Sequence, residues 1–66
     1  MKVWINRDSI GCAEEVYIHS KEPKYLGSGV FFRDNIIAVF SIKDFKSTFK
    51  FTPKRGSCKE YELTLK

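Results

Sequence analysis

One histidine, two cysteines and four glycines in 66 residues leave little material for several familiar chemistries. With His19 alone, no Ser-His-Asp or Cys-His-Asn arrangement emerges at a suggestive spacing. Cys12 and Cys58 are far apart, no Cys-x-x-Cys step exists, and two Cys with one His do not make a zinc set. Glu14 and Glu15 adjoin on a turn, where a carboxylate pair is more often solvated than an acid/base couple. The "GSG" at 27–29 lacks the strand-to-helix setting and the lysine of a phosphate loop. The sequence therefore predicts no catalytic residue, no metal and no cofactor, in a chain too short to build a water-excluding pocket easily.

Long hydrophobic runs are also missing. The longest, Ile36 to Phe40, falls far short of the roughly 20 residues that cross a bilayer. Residues 1–10 hold Lys2, Arg7 and Asp8 and no apolar stretch of secretory-leader length. These absences predict a soluble intracellular protein with no membrane partner. Cys12 and Cys58 are then read as free thiols, with a bridge between two loops as the alternative.

Aromatic side chains are plentiful: six Phe, three Tyr and one Trp. Each ring removes roughly 150–250 Å² from water when buried, so aromatics are an efficient way to stabilise one small domain, here residues 1–66. Area-minus-entropy sums for domains of this size usually come out near zero, which makes a homo-dimer a reasonable source of further stability.

Period-two alternation dominates the chain. In "KVWIN", Val3 and Ile5 share a face opposite Lys2, Trp4 and Asn6; in "EVYIHS", Val16 and Ile18 alternate with Tyr17 and His19. Antiparallel pairing by apolar faces sets Ile5 against Val16, Val3 against Ile18, Trp4 against Tyr17 and Lys2 against His19. "KEPKYLGSG" is a Pro- and Gly-punctuated loop. "VFFR" and "IIAVF", apolar on both faces, predict a hairpin through Asp34-Asn35 that pairs Phe32 with Ile37 and forms the heart of the core. In "SIKDFKS", Ser41 caps a short helix with Asp44 three residues on, and Ile42 and Phe45 share its buried stripe. "STFKFT" resumes the strand pattern and pairs with "EYELTLK" in the register Phe51–Tyr61 and Phe49–Leu63, setting Lys50 against Glu62. The expected fold is mainly β (α+β): a small antiparallel sheet of five to six short strands with one short helix near residues 41–47.

The start "MKVWINRDS", then "EEVYIHSKEP", a Gly-containing segment, "IKDFK" and the closing "EYELTLK" resemble a family of short accessory proteins from phages and prophages. The likeness runs over nearly the whole chain and lies in strand-and-turn texture. It implies a small accessory protein made in the cytoplasm of a bacterial host, and the residues above make it non-enzymatic. Such a protein would bind and block a host protein or protein–nucleic-acid complex, with anti-defence (anti-CRISPR-like) inhibition as the most concrete form. Members are mostly acidic, whereas this chain is basic.

The net charge of +4 arises almost wholly within residues 43–59, where Lys43, Lys46, Lys50, Lys54, Arg55 and Lys59 face only Asp44. Such asymmetry favours a directed electrostatic role. Phe49 and Phe51 share a face that Lys50 does not, which makes the phenyl rings core rather than base-stacking platforms. Lys54, Arg55 and Lys59, grouped around Gly56, are the candidate electrostatic contacts. The competing reading is a solvated loop that discourages edge pairing. Trp4 and Tyr17, with His19, face away from the core strands and are the candidate anchors for a partner; the alternative is that the helix, the 20–29 loop or another protomer covers them. The rival to a blocked protein partner is a small basic nucleic-acid-binding protein, which would use the same loop.

Overall fold

The computed structural model describes residues 2–8 and 15–62. Its strands are β1 (Lys2–Arg7), β2 (Glu15–His19), β3 (Tyr25–Gly27), β4 (Val30–Phe31), β5 (Ile36–Ser41) and β6 (Cys58–Glu62), with one helix, α1 (Ile42–Thr48), between β5 and β6. The fold is mainly β, as the alternation predicts. A four-stranded antiparallel sheet has the order β5-β2-β1-β6, and β3 and β4 form a separate two-stranded hairpin.

The central strands are the first two, not residues 30–40. Val3, Ile5, Val16 and Ile18 lie on one face and are at most 3% exposed, so the face assignment by parity holds. The register does not. Ile5 pairs with Ile18, Trp4 with His19 and Asn6 with Tyr17, a slip of two residues from the apolar-matched alignment. A two-residue slip returns every side chain to the same face, so burial does not discriminate between the two registers.

Over that face lies α1. Ser41 is its N-cap: the backbone N–H of Asp44 donates to Ser41 Oγ at 3.1 Å, satisfying one of the free amides of the first turn. Phe45 is wholly enclosed and packs against Val3, Ile5, Val16 and Ile18. Around it, Phe49 stacks at 4.5 Å between ring centres, and Phe40 and Phe51 meet it edge-on at 6.0 and 5.3 Å. Ile42 joins the same stripe, as its spacing to Phe45 predicts.

Three expectations for the second half are overturned. Residues 49–51 form bends rather than a strand, and β6 pairs with β1 instead, Lys2 opposite Glu62 and Trp4 opposite Glu60. Lys50 therefore has no place opposite Glu62. Phe51 nevertheless stacks on Tyr61 at 4.6 Å, so the contact forms through side chains without a ladder. Asp34-Asn35 does not close a hairpin between β4 and β5. Asn35 does take the left-handed conformation (φ 52°), but β5 pairs with β2, and the chain crosses from the small hairpin to the sheet edge. The segment expected as heart of the core is largely outside it: Phe32, Ile37 and Val39 are 51%, 48% and 47% exposed. Apolar residues on both sides of β5 reflect an edge position with one face over the core, not a central strand.

The loop at 20–29 also contains unforeseen structure. Tyr25 pairs with Phe31 and Gly27 with Val30. Ser28 and Gly29 between them both have positive φ, the geometry of the tight two-residue turn that suits strand twist.

Candidate interaction surface

The second face of the sheet carries Trp4, Asn6, Tyr17 and His19, which the sequence assigns to the side away from the core. They are brought together, but they are not a bare surface. Tyr17 is 5% exposed and His19 is fully buried, while Trp4 is half-buried. The polypeptide between β2 and β5 folds back over Tyr17 and His19; it includes the 20–29 loop, one of the covers the sequence suggests, but extends beyond it to Arg33 and Asp34. From that segment, Pro23 is buried, Arg33 lies over the Tyr17 ring at 4.9 Å, and the carbonyl of Asp34 meets His19.

Beneath this cover runs a chain of polar contacts. His19 Nδ1 lies 2.7 Å from the Asp34 carbonyl oxygen, which can only accept, so this nitrogen donates. His19 Nε2 pairs with the side-chain amide of Asn6, and Asn6 Nδ2 donates to Asp8 Oδ1 at 3.3 Å. The Arg33 guanidinium completes the line with a 2.8 Å ion pair to Asp8 Oδ2. Asn6, Asp8 and His19 are all at most 3% exposed, so each partner matters: an unpaired buried polar group costs roughly 1–3 kcal/mol. Burial holds the Tyr17 phenol above its ordinary range, against the opposing pull of the Arg33 charge. These contacts bind the covering segment to the sheet. No pocket opens onto them and no group of potential metal ligands occurs among the described residues. His19 is a structural tie between β2 and the crossover, which corrects its assignment as an exposed anchor, and Tyr17 is corrected likewise.

The cations stand elsewhere. Ser57 N–H donates to the Lys54 carbonyl at 3.1 Å and closes a tight turn through Arg55 and Gly56, the latter at φ 70°. Gly56 N–H donates to the Arg7 carbonyl at 2.8 Å and Arg7 Nη1 donates to the Pro53 carbonyl at 3.1 Å, so the turn is pinned to the end of β1. Lys54, Arg55 and Lys59 are exposed, as expected. Lys59 lies opposite Ile5 in the ladder and shares the helix-bearing face, whereas Trp4 points the other way. Trp4 and Lys59 are thus on opposite faces of the sheet. Lys43, Lys46 and Lys50 are exposed on α1 and just beyond it, so these three join Lys59 in the helix-side layer. Phe45, Phe49 and Phe51 turn inward from that layer and contact one another.

What sequence reasoning missed is the arm formed by β3 and β4. Its principal packing is strand against strand, with little against the main sheet. Tyr25 rests on Phe31 at 5.0 Å between ring centres and accepts a hydrogen bond from Gly29 N–H at 3.0 Å. Tyr25 and Leu26 are nonetheless 56% exposed, and Phe32 at the foot of the arm 51%. The available signal was "YLGSGVFF", two apolar pairs around a two-residue Ser-Gly turn. Cys58 is a free thiol, opposite Asn6 on the second face; Cys12, and Leu63 and Leu65, which the sequence assigns to the last strand, lie outside the described residues. No helix among the described residues is long and apolar enough to cross a membrane.

No protein-family model, curated protein or solved structure matches this chain.

Proposed function

We propose that this protein acts without catalysis, binding and covering a bacterial host macromolecule, with the β3–β4 arm as the apolar contact and the basic layer as the steering charge. The observation that carries the reading is the exposure of Tyr25, Leu26 and Phe32 on an element with little packing of its own. A two-stranded hairpin is marginal in isolation, so apolar side chains displayed on one suit a surface that becomes buried in a complex. Lys43, Lys46, Lys50 and Lys59 on the helix side, in a chain of net charge +4, would speed encounter with an acidic partner and make association salt-dependent. The phage-type setting, and inhibition of a defence complex by occlusion as its concrete form, rest on the resemblance of the chain's texture. A protein partner is favoured over nucleic acid because the aromatics of the basic stretch are turned into the core and leave no stacking surface beside the lysines.

Capture from a bacterial lysate by the immobilised protein, with and without nuclease, tests this. Leu26→Ser with Phe32→Ser alters two exposed side chains and should leave circular dichroism unchanged. Loss of a nuclease-resistant captured protein in that variant is the expected result. Capture unaffected by the double substitution, or abolished by nuclease, would remove the reading, the second outcome in favour of nucleic acid.

A further inference from the structure

We infer that the free edge of β5 pairs antiparallel with β5 of a second copy, joining two sheets into one of eight strands about a two-fold axis. The strand pairs with β2 on one side and with no strand on the other among the described residues. Its sequence from Ile36 to Ser41 is "IIAVFS", without charge, proline or glycine. An edge of this kind presents a row of peptide N–H and C=O groups with neither charge nor proline to discourage pairing. The bulge against β2 falls at Ile36–Ile37, leaving Ala38 to Ser41 in regular register with Ile18 to Glu15.

The other edge shows the contrast. β6 displays exposed Lys59, Glu60 and Glu62 along five residues, and charge on an edge strand opposes sheet extension. A β5–β6 contact would also be head-to-tail and propagate, whereas β5 against its own copy closes after two. Three features select a second copy as the occupant. An uncharged strand meets itself with no like-charge pair. Antiparallel pairing brings Arg33 and Asp34 beside the partner's Lys43 and the partner's Asp44, one charge of each sign at either end, so the ends meet without net repulsion. It also covers Val39 and Ile37, about half exposed in the single chain.

Sedimentation equilibrium on the full chain tests the proposal. The expected mass is twice the 7.7 kDa of one chain. Val39→Lys places two ammonium groups near the axis and should halve the mass while amide spectra retain the same fold. Ile37→Glu serves as the second variant should the first not fold. Hydrogen exchange should show β5 amides protected in the wild type and released in the variant, with β6 unchanged. A wild type that is monomeric at the highest soluble concentration overturns the inference, as does an unchanged mass in both variants or a mass that climbs without limit. None of these outcomes bears on capture by the β3–β4 arm, which uses different side chains.

Discussion

Arg33, on the crossover into β5, forms a 2.8 Å ion pair with Asp8 at the end of β1, although its own side chain is 59% exposed and that of Asp8 only 4%. The same guanidinium lies over Tyr17, so one residue fastens the covering segment to two strands. Arg33→Ala removes the charge partner of a buried carboxylate. The expected loss is about 2 kcal/mol, below that of a fully buried pair because the exposed guanidinium is screened by solvent. Arg33→Lys keeps the charge without the fork and should fall between. Urea midpoints of the three proteins check the order, and Arg33→Ala equal to wild type would show the tie to be decorative.

Phe45 is the hub of the aromatic layer and is wholly buried. Phe45→Ala is expected to cost about 3–5 kcal/mol, a large share of the roughly 5–15 kcal/mol that holds a domain folded. Thermal unfolding followed by circular dichroism should show a broad or absent transition at room temperature. Phe45→Leu, closer in volume, should retain a cooperative one at a lower midpoint.

Ser41 caps α1 with a single exposed hydrogen bond to Asp44 N–H. Ser41→Ala is expected to lose about 1 kcal/mol, and Ser41→Asp, which can accept the same bond, close to nothing. Denaturant curves of both variants give the comparison. Equal losses would mean that the cap contributes through packing rather than through its oxygen.

The Cys58 thiol is pushed up to about 11, by burial first and by the charge of Glu22 second. In a Cys12→Ser background, alkylation by iodoacetamide at pH 8 should be much slower than for a free thiol and should recover on denaturation. The pH dependence has a definite sign. Raising a folded-state value above the unfolded one makes the native state hold its proton more tightly. The stability this confers is fully present below pH 9.0 and is lost as pH rises towards about 11. Tyr17, raised above 10.0, acts in the same direction. Stability should therefore fall through this window, and Cys58→Ala should flatten the decline.

The alternation of Val3, Ile5, Val16 and Ile18 determined by itself which side chains form the core, because period two assigns faces without reference to partners. The cap at Ser41 and the stripe of Ile42 and Phe45 were legible because each depends on near neighbours in the chain; Phe49 and Phe51 do turn inward, but from bends and not from the strand on which their shared face was argued. What only the tertiary structure decided was which strand lies beside which. Pairing β6 with β1, and β5 with β2, depends on contacts among distant residues that no local pattern encodes, and a two-residue slip conserves every face. The fate of Tyr17 and His19 followed from that choice. With β5 beside β2, the crossover passes over the second face, and Arg33 and Asp34 come with it to cover the residues that parity alone would leave in water.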